Sequence, residues 1–128
     1  MFDPIDFLEL AKKIRTSTFP ESEASMRTVV SRSYYSSFLL SKTFAIDQGC
    51  LGLREYDKPS FPRPGEIHVA VRNALSDLHL GHIASLLLEL FLKRVDSDYY
   101  LHLHIDEGIA DDALELSEKI KQLIAEYK

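Results

Sequence analysis

Arginine stands close to tyrosine at two places in this 128-residue chain, and each grouping could hold a phosphate next to an aromatic base. At the first, Arg32 precedes Tyr34 and Tyr35. The guanidinium offers a permanent charge and a planar array of donors, and the rings offer faces on which bases stack. The same tyrosines, at helical spacing, equally suit a core or interface with one wet end. At the second, Arg94 is followed by Asp96, Asp98 and Tyr99. That cluster reads either as a polar recognition site or as an Asp–Arg pair that orders a helix end, where a cation is stabilising in its own right. Of the histidines, His79 and His82 would share a helix face, and His102 and His104 would point the same way in a strand. Neither pair has an evident third ligand, so no metal is expected. Cys50 sits beside Gly49 without an activating partner. No glycine-rich phosphate loop, nucleophile elbow or paired-carboxylate motif stands out, and no cofactor is expected.

The elements that must position these residues read as helices. Asp3 and Pro4 suit an N-cap and a first helical position, after which Phe7, Leu10, Ala11 and Ile14 share one face, predicting a helix over 4–16. Phe19-Pro20-Glu21 interrupts it. Residues 22–48 contain no proline or glycine and align Met26, Val30, Tyr34, Ser37, Ser41 and Phe44, predicting a long second helix closed by Gly49. Residues 49–64 hold two glycines and three prolines and read as a long exposed connection. Pro64 suits the first turn of a third helix carrying Ile67, Val71, Ala74, Leu75 and Leu78, which Gly81 kinks or ends. Residues 82–94 are apolar around nearly the whole helical circumference, through Ile83, Leu86, Leu87, Leu88, Leu90, Phe91 and Leu92. Such a helix is central or lies in a subunit interface. Asp106 offers an N-cap before Ile109, Ala113, Leu116, Ile120, Leu123 and Tyr127, a narrow seam that packs along another helix. The alternating stretch 100–105 is short and has no second strand. The fold class expected is all-α, an up-and-down bundle of about five helices forming one domain over 1–128.

Bulk properties narrow the classes. One cysteine cannot form an internal disulfide, which fits a reducing, cytoplasmic compartment. The start of the chain lacks the basic and apolar runs of a secretory signal, and the apolar stretch 83–92 is too short to span a bilayer, so no membrane partner is expected. The net charge of -5 does not describe a general nucleic-acid binder. Residues 12–72 nevertheless carry ten Lys and Arg against six Asp and Glu, a local excess of four positive charges, compatible with a basic face or with ordinary solvated helices.

Three segments, in order, resemble the small bacterial and archaeal HEPN proteins. Ser31-Arg32-Ser33-Tyr34-Tyr35-Ser36-Ser37-Phe38 is similar to that family's Arg-Ser-x-Tyr-Tyr-Ala-x-Phe run. The segment at His68 is similar to its Thr-His segment, with Ile67 in place of threonine. Lys93-Arg94-Val95-Asp96-Ser97-Asp98-Tyr99 is similar to its Arg-x-x-Ala-Asp-Tyr, with Ser97 in place of alanine. With a terminal amphipathic helix opened by Asp111, Asp112 and Ala113, the resemblance covers about residues 5 to 127.

The resemblance implies a helical bundle, commonly a homodimer, from a group often encoded beside small nucleotidyltransferases and including RNA-cleaving toxins. Catalytic members carry an arginine, four to six residues and a histidine, and two copies meet across a dimer to cleave RNA without metal. Arginine can bind the phosphate, and histidine, titrating near neutral pH, can move protons at ribose oxygens. That spacing occurs here at Arg63–His68 and at Arg72–His79, where Asn73 also matches the motif. Seven arginines, five histidines and three permitted spacings give about 0.8 such pairs by chance. The resemblance puts Arg94 at the catalytic arginine's position, and there the spacing delivers Tyr99 and Tyr100 and no histidine. Tyrosine, with an ordinary pKa near 10, is a poor general base at neutral pH. The leading expectation is therefore a HEPN-like homodimeric binding or interaction protein, partner to a nucleotidyltransferase, contacting nucleotide or RNA through Arg32, Tyr35, Arg94, Asp98 and Tyr99. The alternative is a metal-independent ribonuclease toxin of a toxin–antitoxin pair, with Arg72 and His79, or in second place Arg63 and His68, as catalytic residues.

Overall fold

The first helix, α1 (Ile5–Arg15), opens where Asp3 Oδ1 accepts the Ile5 N–H at 3.0 Å, close to the expected cap. The computed structural model describes residues 2–17, 22–58, 63 and 65–127. The break at Phe19-Pro20-Glu21 and the Pro64 helix start lie outside the described residues. Ser22 caps α2 (Glu23–Asp47) by accepting the Ser25 N–H at 3.1 Å. At its other end Gly49 takes φ 102°, so that the Gly49 and Cys50 N–H groups reach back to the Ile46 and Ala45 carbonyls at 2.9 and 3.0 Å. This paired return is what a left-handed glycine makes possible at a helix C-terminus.

The connection that follows is more ordered than its composition suggests. Residues Leu51–Asp57 form a 3-10 helix that inserts Leu53 into the core. Burial of one leucine overrides the local turn chemistry there. Three helices complete the bundle: α3 (Glu66–Asp77), α4 (Gly81–Tyr99) and α5 (Glu107–Ala125). Asp106 caps α5 through the Ile109 N–H at 2.9 Å, and no strand occurs among the described residues. The all-α class and the five helices agree with the sequence pattern. No helix is long and apolar enough to cross a membrane among the described residues.

The long α2 is the axis of the bundle and packs against α1, α3, α4 and α5. Its serines explain the close approach of α5. Ser37 Oγ donates to Ser117 Oγ at 2.8 Å, and Ser117 Oγ donates to the Ser33 carbonyl at 3.1 Å. Small side chains let the backbones near each other, and the Ser37 and Ser117 hydroxyls find partners there. Arg15 ties α1 to α5 through Asp111 at 2.7 Å.

The sequence expectation that the fourth helix ends at Arg94 is corrected, because α4 runs on to Tyr99. The cause is Arg27, one turn into α2. Its guanidinium donates to the carbonyls of Ser97 at 2.7 Å, Asp96 at 3.3 Å and Tyr100 at 3.3 Å, and also to that of Leu103. The Ser97 carbonyl is one that a helix end leaves without a backbone partner, whereas those of Asp96 and Tyr100 also accept the Tyr100 and Leu103 N–H groups. Glu23 pairs with Arg27 at 3.3 Å and accepts the Ile105 N–H at 3.2 Å, fixing the loop into α5.

The circumference of α4 is only partly covered within the chain. Ile83, Leu87 and Leu90 are buried, whereas Leu88 and Leu92 are exposed, Leu92 by 56%. With Val95 and the 64% exposed Tyr99 they form one stripe at spacings of four, three and four. Arg27→Ala should destabilise the fold by about 2 kcal/mol or more, because several charge-assisted bonds are lost and carbonyls are left without a donor. Urea unfolding measures it, and an unchanged midpoint would contradict the role given to Arg27.

Candidate functional site

Three helices bring aromatic and cationic side chains to one corner of the bundle. From α2 come Tyr34, Tyr35 and Phe38. From α3 come His68 and Arg72, one turn apart on the same face. From α4 come Phe91, Arg94, Asp98 and Tyr99. Tyr34 is fully buried, and its hydroxyl lies 2.6 Å from His68 Nδ1. The imidazole sits among rings, with centroids 4.7 Å from Phe38, 5.2 Å from Phe91 and 5.6 Å from Tyr34.

Arg94 is held from several sides. Nη2 donates to the Tyr35 hydroxyl at 2.8 Å and approaches that of Tyr99 at 3.5 Å. Nε lies 2.9 Å from Asp98 Oδ2 but makes no well-aimed hydrogen bond, so the contact is an ion pair without a directed N–H. The guanidinium carbon stands 5.2 Å from the Tyr35 ring centre and 5.4 Å from that of Tyr99. Arg32 lies over Tyr35 at 5.3 Å and Phe7 at 5.0 Å. The five residues expected to bind ligand thus form one chain of contacts, Arg32–Tyr35–Arg94–Asp98 and Tyr99. Arg94 and Asp98 also form an i, i+4 ion pair in the last turns of α4.

The catalytic candidates are divided. Arg72 joins the corner by placing its guanidinium 5.0 Å from the centre of the Phe91 ring. His79 does not. It is exposed in the turn after α3 at φ 63°, with its N–H and that of Leu80 returning to the Ser76 and Leu75 carbonyls at 3.0 and 2.9 Å. This is the helix-ending position that glycine usually occupies. No hydrogen bond, ion pair or ring contact joins His79 to Arg72 among the described residues. Arg63 is exposed and pairs with Glu66 at 3.1 Å. The histidine that does accompany Arg72 is His68, four residues earlier. The i, i+4 spacing could have revealed that pairing; Tyr34 and Phe91, which complete it, are distant in sequence.

Electrostatics follow from the crowding. Burial, then the charges of Arg94 and Arg72, push the His68 imidazole down to about 4. Burial drives the Tyr34 hydroxyl well above its ordinary value, against the opposing pull of the same arginines. At neutral pH both groups are uncharged. A buried hydroxyl needs an acceptor for its proton, and His68 Nδ1 is the partner it has, so we assign Tyr34 as donor and place the imidazole proton on Nε2. In that tautomer His68 presents a donor outward and is a poor general base.

Other openings carry less chemistry. A cleft of about 680 Å³ between the 3-10 helix and α3 is lined by Cys50, Tyr56, Glu66, Asn73 and Asp77 among others, with no arginine or histidine. No group of three or more His, Cys, Asp or Glu suited to a metal occurs among the described residues. His104 instead pairs with Glu23 at 2.7 Å.

No protein-family profile matches the chain, and no solved structure does. Over 39 residues, 30% of this chain, it is 44% identical to the uncharacterized protein MJ0628 of Methanocaldococcus jannaschii. The matched part spans 24% of that protein's length.

The cap geometry gives His79 a testable role. His79→Gly should stabilise the fold by up to about 1 kcal/mol, because glycine adopts the left-handed conformation without the steric cost of a Cβ. A clear loss of stability on chemical denaturation would show that the histidine side chain makes a contact beyond the cap.

Proposed function

We propose that the chain is a HEPN-like homodimeric binding and interaction module that contacts nucleotide or RNA through its arginine–tyrosine corner. The observation that carries the reading is the setting of Arg94. Two hydroxyls and a carboxylate hold its guanidinium, and the adjoining Tyr99 ring is exposed for stacking. A fixed cation beside an open aromatic face suits a phosphate and its neighbouring base. Partnership with a nucleotidyltransferase in a cytoplasmic setting rests on the family resemblance and the single cysteine. The homodimer is supported by the part of the α4 stripe away from Tyr99, the exposed Leu88 and Leu92 with the half-buried Val95. Beside it in the chain lie Leu101, exposed by 82%, and Leu103. Apolar side chains aligned at alternating spacings of four and three are what a second helix would cover.

Two measurements test this. A ten-nucleotide oligouridylate RNA should bind in fluorescence anisotropy at low salt, and Arg94→Gln and Tyr99→Ala should each weaken binding by about tenfold, the scale of one stacked base. Absence of binding by the wild type would defeat the reading, and RNA cleavage lost in Arg72→Ala would replace it with ribonuclease activity. Sedimentation equilibrium should give twice the 14.6 kDa chain mass, reduced to one by Leu92→Lys. A wild-type particle of 14.6 kDa would remove the homodimer.

A further inference from the structure

We infer that His68 and Arg72 form a phosphate subsite next to Arg94, in which Arg72 supplies the ion pair and His68 Nε2 a hydrogen bond to the phosphodiester group of a nucleic-acid strand. The inference rests on the nucleotide-or-RNA reading above and says where in the corner the phosphate goes.

Arg72 carries the argument. Its guanidinium has five N–H donors, yet it makes no hydrogen bond and no ion pair among the described residues. Nη1 is buried without a partner, and the contact the side chain does make is with the face of Phe91. Half-buried cations in folded proteins are ordinarily paired, and the contrast with the neighbouring arginine is direct. Arg94 has Asp98, Tyr35 and Tyr99, and Arg27 has a set of carbonyls. Arg72 has a ring.

His68 lies one helical turn before Arg72, and both stand about 5 Å from the centre of the same Phe91 ring. Tyr34 occupies Nδ1, so the ring is oriented and Nε2, the outward donor, has no hydrogen-bond partner among the described residues. A phosphodiester has two unesterified oxygens and can accept from a guanidinium and an imidazole N–H at once. Tyr99, across Arg94, then lies where an adjoining base would stack.

The surroundings couple this binding to protons. The groups facing His68 are Tyr34 and Phe38 from α2, Phe91 and Arg94 from α4, and Arg72 from its own helix. The neighbouring carboxylate, Asp98, is engaged with Arg94. In the free protein the two arginines help to hold the imidazole down to about 4. A bound phosphate offsets their charge and raises that value, so the complex takes up a proton. Its affinity is therefore greatest in mild acid and falls as pH rises through the raised value. On protonation His68 Nδ1 becomes a donor and the Tyr34 hydroxyl its acceptor.

The test is calorimetric titration with a ten-nucleotide 2′-O-methyl oligouridylate. This probe has no titrating group in mild acid or at neutral pH, and it cannot be cleaved through its own 2′ oxygen. The wild type should bind up to about tenfold more tightly at pH 5 than at pH 7.5, the effect of lifting one pKa by about two units. Binding heats in two buffers of different ionisation enthalpy should reveal proton uptake. His68→Asn should abolish the pH dependence. Arg72→Gln should weaken binding at least about tenfold at both pH values, with Arg72→Lys intermediate. The wild-type proton count stands even if a variant fails to fold. Wild-type binding with no proton uptake, or with affinity unchanged in folded Arg72 and His68 variants, would overturn the subsite and leave the nucleic-acid reading intact. Failure of the wild type to bind either oligonucleotide would overturn both.

Discussion

A guanidinium taken partly out of water must be met by charge, by hydrogen-bond acceptors or by the negative face of an aromatic ring. The arrangement of this protein's corner follows from meeting that requirement for Arg72 and Arg94 with one carboxylate. Asp98 goes to Arg94, and rings do the rest: Phe91 under Arg72, Tyr35 and Tyr99 about Arg94. The imidazole between them stays neutral because it is buried among rings and because a third positive charge there would have no counter-charge. Tyr34, with its hydroxyl on Nδ1, holds that neutral ring in place. Aromatic residues in this corner therefore serve as core and as counter-charge together.

The corner depends in turn on how α2 and α4 are held. The serines of α2 allow α5 to come close on one side, which leaves Tyr34, Tyr35 and Phe38 facing α3 and α4 on the other. Arg27 extends α4 through its last turns. Without those turns Asp98 and Tyr99 would not stand one turn beyond Arg94. An arginine with no part in the candidate site thus sets the geometry of the arginine at its centre.

Local signals in the sequence were read well where the structure is local. Asp106 caps α5 because its side-chain oxygen meets the backbone N–H three residues on, and Gly49 ends α2 because it alone there adopts a left-handed turn. Arg32 with Tyr35, and Arg94 with Asp98 and Tyr99, were visible from residue type and spacing as two separate groupings, and only the fold joins them through Tyr35 and Arg94. Features set by distant partners were not. Asp96, Ser97 and Asp98 resemble a helix stop, and what carries α4 through them is Arg27, about seventy residues earlier. Residues 49–64 read as open loop because the burial of Leu53 leaves no mark on the glycine and proline pattern. The pairing of Arg72 with His79 followed the arginine-to-histidine spacing that the family resemblance implies, but α3 ends between them and turns His79 away. His68 lies on the same helix as Arg72, and its importance comes from Tyr34 and Phe91, which only the fold brings near.

His68 sits neutral among rings and two arginines, its imidazole held down first by burial and then by their charges. Nuclear magnetic resonance of the imidazole, followed against pH in the free protein, measures this directly. The account predicts a titration midpoint at about 4, moving upward in Arg94→Gln and, by less, in Arg72→Gln. A midpoint near the ordinary histidine value of about 6.5, unmoved by either substitution, would contradict it.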